Sequence, residues 1–495
     1  MKFTKPERLY QLHWLLIPIF FIIHNYIDFY GLVDFSQLQS SLIQWFLFPI
    51  FVLGIGYFIY KKFSSASLFT FYITAVFFLA GSVMKELKAI TFLQFLSKYS
   101  VFLPLVIIGF FILAIRLYKF PEKNGRAHSF LFLLFTVLIL FEIGRYFIVG
   151  TTGLEKRNAL VIKNEAALKT IPTTAKPSIY FLLFDEHPST LSLQTLFNYS
   201  NQSLDSNLQQ LGFKVSAYAE SAYPYTAPSL YSLFGLNEFS PSHSKEFKFK
   251  DLSAAEISFT KNRLVPFLKQ HGYSFVNAGI FDVVNFPSLL KNELNREPAA
   301  SMIRKQTLLN RIKEDLGWNY SHLYQKQFIN QLNHRIRSEA NAAKKVETLL
   351  DSCLHLSSTT PVFFYGHFML PHNPYKFDSA GQLQTYTNDR YKAYYQKPGT
   401  YLNQVAYTRN LILQLAKEII DKKGSDAIVI IQGDHGYRMF NSKRFNVANK
   451  RKILSAIYFP DKDYSLISDS LYAPNTFRII LNKYFEQEIS FLQSK

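Results

Sequence analysis

The chain has 495 residues and a net charge of +19, yet only 18% of its residues are charged, while Phe (49) and Tyr (31) are heavily used. Its single cysteine, Cys353, excludes an internal disulfide, a disulfide-stapled scaffold and a cysteine-rich zinc site, and no disulfide-linked partner is expected. The basic charge comes without an Arg-rich tail, zinc finger or RNA-binding motif, so it points away from nucleic acid and toward anionic headgroups, which attract about 1 kcal/mol per basic residue near a membrane surface.

The apolar residues crowd into the first 150 positions. Five stretches there, at about 10–32, 41–60, 68–84, 99–118 and 129–150, are apolar and long enough to span a bilayer, for which roughly 20 residues are needed. The first is too long and too aromatic for a cleaved signal peptide. Lys2, Lys5, Arg8, Lys61, Lys62, Arg116, Lys119, Lys123 and Arg126 fall on one side of these spans, against Lys85, Lys88 and Lys98 on the other. The positive-inside rule therefore puts the N-terminus in the cytoplasm, and five spans send the remaining chain outside. Glu142 and Arg145, three apart near the outer end of the last stretch, read as an interfacial ion pair.

Residues 151–176 read as a juxtamembrane helix and linker, and 177–495 as one soluble domain. In that domain, apolar runs such as SIYFLLF (178–184), FKVSAY, YSFVNAG, PVFFYGHF, DAIVIIQG and ILSAIYF alternate with helical patterns. Short apolar strands separated by helices predict a largely parallel sheet covered on both faces. Residues 296–350 are polar, basic and helical, and look like an insertion or a membrane-facing flap.

Open sheets of this kind gather their sites at the carboxyl ends of the strands. SIYFLLF runs into Asp185-Glu186-His187, PVFFYGHF toward His372, and DAIVIIQG into Asp434-His435-Gly436; Thr226 opens an apolar helix. Each alone has an ordinary explanation: a strand-end Asp as a helix cap, Thr226 as an N-cap, His372 as a turn residue between prolines. Asp-His-Gly is the strongest signal, because two consecutive metal-ligand side chains after a buried strand have little structural rationale. Together Asp185, Thr226, Asp434 and His435 make an oxygen and nitrogen ligand set for Zn²⁺ or Mn²⁺. Metal coordination is one way to activate a Thr hydroxyl, and a helix N-terminus offers N–H groups to an anionic ester oxygen.

On IYFLLFDEHP, YTAPSLYSL, GHFMLPHNPY and IVIIQGDHG, the chain resembles the sulfatase-like branch of the alkaline phosphatase superfamily. Its plan, membrane spans followed by an outward-facing domain, is similar to that of lipoteichoic acid synthases and bacterial phosphoethanolamine transferases. The resemblance implies metal ligation by Asp185, Thr226, Asp434 and His435, with Thr226 as nucleophile and His372 beside the substrate. Asp185 or Glu186 supplies the first ligand, Asp185 being favoured; His367, Arg438 and Lys443 are candidates for phosphate contacts. Formylglycine sulfatases need Cys or Ser in a Cys/Ser-x-Pro-x-Arg motif. Here Thr226 and Leu230 occupy those two places, which disfavours the aldehyde route and favours a phospho-threonine intermediate.

The expected protein is thus a multi-span α-helical membrane domain carrying an α/β alkaline phosphatase/sulfatase-like domain. It would transfer a phospho-group, phosphoethanolamine or phosphoglycerol, from a membrane lipid donor to a cell-envelope lipid or glycan. The expected place is the outer face of a bacterial cytoplasmic (inner) membrane. The alternative is a hydrolase of the same family, acting on phosphate, phosphodiester or sulfate esters.

Overall fold

The computed structural model describes residues 5–30, 33, 38–120, 124–161, 168–169, 177–239, 247, 249–294, 301–316, 321–356, 360–387, 398–438 and 449–494. The first helices are α1 (Lys5–Tyr10), α2 (His13–Asp28), α3 (Gln39–Tyr60), α4 (Phe63–Ala89), α5 (Tyr99–Lys119) and α6 (Gly125–Val161). After them come α7 (Thr190–Phe197), α8 (Gln202–Gln210), α9 (Thr226–Phe234), α10 (Phe249–Thr260) and α11 (Leu264–Gln270). α12 (Ser301–Arg304), α13 (Leu308–Leu316) and α14 (Ser321–His355) follow, and two further helices cover Gly399–Lys423 and Thr476–Phe485. The chain divides into two compact units, Met1–Asn158 with Glu297–Leu323, and Ala159–Arg296 with Tyr324–Lys495.

In the first unit, Ser41–Tyr60, Phe63–Ala89, Tyr99–Lys119 and Gly125–Ile148 are helical segments long and apolar enough to cross a membrane. They account for four of the five expected spans. The first expected span is divided: the chain leaves helical geometry at Leu12, so α2 keeps 16 residues, short of a full crossing. α2 instead buries Trp14, Ile17, Phe21 and Ile22 within the unit. α5 and α6 do the opposite and leave Phe111, Ile112, Leu133 and Phe141 exposed, as helices do whose solvent is lipid. Glu142 and Arg145 do form the expected pair, at 2.8 Å, and α2 extends it: His24 lies 2.8 Å from Glu142, and Asp28 lies 2.9 Å from Arg145. α12 and α13, far along the sequence, belong to this unit, and α13 packs on α4.

In the second unit, all six expected runs form strands: β1 (Ser178–Phe184), β2 (Lys214–Val215), β3 (Ser274–Ala278), β4 (Val362–Phe368), β5 (Ala427–Gly433) and β6 (Ser455–Tyr458). They make one sheet in the order β2-β6-β5-β1-β4-β3. β5, β1, β4 and β3 run parallel, while β6 is antiparallel to both β5 and β2. Alternate side chains feed two separate cores, as a sheet covered on both faces requires. On β1, Ile179, Phe181 and Leu183 join one core with residues of α9, α10 and α11, while Tyr180, Leu182 and Phe184 join the other with residues of α8, α14 and Gly399–Lys423. The central strands β1, β4 and β5 are buried almost throughout, so their carboxyl ends are held by packing on both sides.

Candidate active site

Strand register brings the polar constellations together. Phe184 pairs with Gly433 of β5 and with Phe368 of β4, so the residues following β1 and β5 emerge side by side. The backbone N–H of Asp185 donates to the carbonyl of Phe368 at 2.9 Å, extending the ladder one residue past the strand. Gly433 is required by a close approach: a Cβ there would lie 2.4 Å from the carbonyl oxygen of His187. Gly436 is equally confined, its Cβ position being 2.5 Å from the carbonyl oxygen of Asn449. Asp434 and His435 thus sit between two glycines, Gly433 letting the β1 and β5 loops touch and Gly436 packing against the Asn449–Lys452 segment.

One oxygen of Asp434 is committed to the fold. Its Oδ1 accepts the backbone N–H of Glu186 at 3.0 Å and that of His435 at 2.9 Å. Its Oδ2 is buried without a described hydrogen-bond partner, as is Oδ1 of Asp185. His435 Nδ1 lies 2.8 Å from the carbonyl of Gly436, which can only accept, so Nδ1 carries the hydrogen and Nε2 presents a lone pair. That Nε2 lies 3.4 Å from Asp185 Oδ1, 3.5 Å from Asp434 Oδ2 and 3.5 Å from Thr226 Oγ1. Lone pairs that converge in a buried space repel one another unless a cation sits among them. Asp185, Asp434 and His435 each offer a ligand atom within 4.8 Å of the others, so these residues could hold a metal ion.

The electrostatics carry the same demand for positive charge. Burial raises the Asp185 carboxyl, but His372, His367 and His435 outweigh it and hold the group well below the usual carboxylate range. Burial and Arg438 push His435 down, yet Asp434 and Asp185 pull it above an ordinary histidine. His187, with no such carboxylate partner, is pushed down to about 4 by burial, against the opposing pull of its hydrogen bond to the Pro188 carbonyl.

Thr226 is the first residue of α9, half-buried, with Tyr225 before it in extended conformation. Its side chain therefore faces the site from a nine-residue helix start rather than capping it. Glu186 turns away at φ +62°, and its Oε1 accepts the backbone N–H of Arg438 at 2.7 Å. Its Oε2 lies 4.0 Å from His372 Nε2, so Glu186 faces His372 while Asp185 faces His435. The Arg438 side chain donates to the carbonyl of Pro224 at 3.0 Å and lies 5.4 Å over the Tyr225 ring, next to Thr226. His367 is fully buried on β4, with Nε2 3.5 Å from Asp185 Oδ2 and Nδ1 2.9 Å from the Tyr365 hydroxyl. It faces the candidate ligand Asp185 rather than standing apart from the cluster. Lys443 lies outside the described residues.

Sequence reasoning passed over Lys376. It is fully buried, 2.8 Å from Glu339 of α14, and its Nζ donates to the carbonyls of Met369, His372 and Pro374. It ties down the loop that carries His372. The signal available was a lysine directly after a proline-rich turn, which reads equally well as a solvated residue.

Comparison with known proteins adds a family and several folds. The sulfatase family profile matches residues 194–466, a span holding Thr226, His367, His372, Asp434 and His435. None of the curated proteins matches in sequence. Among solved structures, the C-terminal periplasmic domain of phosphoethanolamine transferase EptC from Campylobacter jejuni is 15% identical, with a TM-score of 0.39, over 66% of this chain and 94% of that one. The corresponding domain of EcEptC from Escherichia coli is 12% identical, with a TM-score of 0.40, over 65% and 86%. The soluble domain of lipooligosaccharide phosphoethanolamine transferase A from Neisseria meningitidis is 13% identical, with a TM-score of 0.38, over 63% and 89%.

Proposed function

We propose that this chain, which belongs to the sulfatase family and so acts on phosphate or sulfate esters, is a membrane-anchored phospho-group transferase with Thr226 as nucleophile. One observation carries the reading: the Thr226 hydroxyl lies 3.5 Å from His435 Nε2, which converges with buried, unpartnered carboxylate oxygens of Asp185 and Asp434. Those residues, with Thr226 itself, would hold a divalent metal, Zn²⁺ or Mn²⁺, which when bound would make the hydroxyl a stronger nucleophile and neutralise charge on the ester. Thr226 in place of a convertible Cys or Ser, and Leu230 in place of Arg, support phosphorus rather than sulfur as the centre attacked.

The chain's own groups then have these roles. Thr226 Oγ1, its hydroxyl proton released to water, forms a bond to phosphorus as the bond to the lipid's glycerol oxygen breaks. N–H groups at the start of α9 face the anionic ester oxygens. His372, when protonated, gives its Nε2 proton to the departing oxygen, oriented by Glu186 at 4.0 Å. Diacylglycerol leaves, and a lipid or glycan hydroxyl takes the group from phospho-Thr226 as the steps reverse. Arg438, fixed over Tyr225, is placed to meet the phosphate.

The outward orientation of this domain is supported by the four long helices alone. Lys61 and Lys62 lie between α3 and α4, and Arg116, Lys119 and Arg126 lie around the turn between α5 and α6. With those basic turns on the cytoplasmic side, α6 leads outward whether or not α2 crosses.

Incubating the full chain with membrane lipid extract and mapping Thr226 by tandem mass spectrometry tests the reading. A phospho-adduct on Thr226, with diacylglycerol released and both lost in Thr226→Ala, is expected; the adduct mass separates phosphoethanolamine from phosphoglycerol. Unchanged diacylglycerol release by Thr226→Ala would overturn the proposal. Release of free headgroup phosphate without any acceptor product would instead favour the hydrolase reading.

A further inference from the structure

The first unit contains a cavity that no part of the proposed chemistry uses. It lies between the end of α4, the seven-residue 3-10 helix Thr91–Ser97, the start of α5, and α13, and has a volume of about 1110 Å³. That is ample for a phospholipid headgroup, since small-molecule sites run to roughly 300–1,000 Å³.

Its wall is cationic. Lys85, Lys88, Lys98 and Arg311 line it, against one carboxylate, Asp315. Asp315 already accepts the Tyr99 hydroxyl at 2.6 Å. No described carboxylate pairs with Lys85, Lys88 or Lys98, and all three are exposed. Arg311 is held in place: its Nη2 donates to Gln306 at 2.8 Å. It also lies so close over Gly81 of α4 that a Cβ there would come within 2.7 Å of Nε. Two lysines near a helix C-terminus are by themselves ordinary dipole partners. Here cations from three separate elements converge, and one arrives on a helix drawn from two hundred residues further along the chain.

The surroundings are those of a membrane surface. α4 and α5 are both long and apolar enough to cross, so the 3-10 helix joining them sits where the bilayer ends. Ile90, Phe92 and Phe95 around it are exposed, at 43%, 76% and 55%. Apolar groups flanking a basic cavity at that level match a ligand with an anionic head and apolar tails. Free phosphate accounts for the lysines but leaves the exposed aromatics unexplained.

We propose that this cavity is a binding site for the phosphate headgroup of an anionic phospholipid, formed by Lys85, Lys88, Lys98 and Arg311. It is built entirely from the membrane unit and stands apart from the reading of Thr226. Basic pockets among membrane helices recognise anionic headgroups by the same charge logic.

The test uses the full chain in mild detergent, offered phosphatidylglycerol or phosphatidylcholine, with bound lipid counted by native mass spectrometry. Phosphatidylglycerol should be retained preferentially. Lys85→Gln/Lys88→Gln should lower its affinity roughly tenfold, and Lys98→Gln should lower it alone by a few-fold. Lys61→Gln/Lys62→Gln, at the other end of α4, should leave it unchanged. All these lysines are exposed, so the variants should keep the unfolding temperature of the parent. Equal retention of the two lipids, or equal losses in the two double variants, would overturn the site. A third arm adds inorganic phosphate: displacement of phosphatidylglycerol at matched concentration would assign the cavity to the free anion and overturn the lipid.

Discussion

Asp434 has two oxygens with two different duties, and that division makes it a sharp probe. Oδ1 braces the backbone of Glu186 and His435, while Oδ2 is left for a cation. In Asp434→Asn the amide oxygen can keep the bracing, while the NH₂ takes the place of the lone pair. Bound zinc or manganese, measured by elemental analysis after dialysis, should fall at least tenfold while the unfolding temperature of the chelated protein stays near that of the parent; equal metal content would remove Asp434 from the ligand set. Gly433→Ala tests the neighbouring close approach. A methyl 2.4 Å from a carbonyl oxygen must push the β5 end away from the β1 loop, at a cost of about 1–3 kcal/mol. Denaturant titration should register that loss together with weaker metal binding. At this scale the sequence was informative in one place: two consecutive ligand-type residues after a buried apolar strand have few structural uses, so Asp434 and His435 stood out, while Asp185 alone read equally as a helix cap. Asp185 against Glu186 was harder, because adjacent carboxylates differ only in the direction each side chain takes, and that rests on the left-handed backbone at Glu186.

The elements show a different limit. The central strands β1, β4 and β5 were readable as apolar runs, because burial on both faces removes the polar alternation, while β2 and β3 keep Lys214, Ser274 and Asn277 and were marked only by shorter apolar stretches. Pairing between distant elements left no such trace. Lys376 follows the loop after β4, Glu339 lies on α14, and nothing in either local pattern announces a buried ion pair. Burial lowers the Lys376 ammonium and Glu339 raises it again, so the charge depends on its partner. Lys376→Met should therefore strip three loop carbonyls and Oε2 of Glu339 of their donor, leaving Glu339 only Arg335 at 2.6 Å among the described residues, and destabilise the chain by about 3–5 kcal/mol. Adding Glu339→Leu should recover part of that loss, which a double-mutant cycle in denaturant would measure. Full additivity of the two substitutions would show that the pair does not hold the His372 loop. α12 and α13 are a second such case. Leu308, Ile312 and Leu316 mark α13 as amphipathic, but the surface that receives it, on α4, belongs to the other end of the sequence.

For the whole molecule, the open matter is which ends of the helices share a compartment, and α2 makes it decidable. Counting spans fails there, since 16 residues behind a break at Leu12 are neither a full crossing nor an ordinary loop. Charge distribution does not need that count. The loop holding Lys61 and Lys62 and the loop holding Thr91 lie at opposite ends of α4, so one must be inside and the other outside. Single cysteines can report this directly, because the native Cys353 is only 5% exposed and burial raises its thiol to about 11, leaving it unreactive in the folded chain. On intact cells, a membrane-impermeant maleimide should label Thr91→Cys and Gln209→Cys, both at exposed positions, and should label Lys62→Cys only after lysis. Labelling of Lys62→Cys before lysis, with Gln209→Cys protected, would invert the topology and remove the extracytoplasmic domain from the proposal. Arg8→Cys then settles α2 independently: protection before lysis means that α2 crosses, despite its length, and labelling means that it lies against the other helices from the outer side.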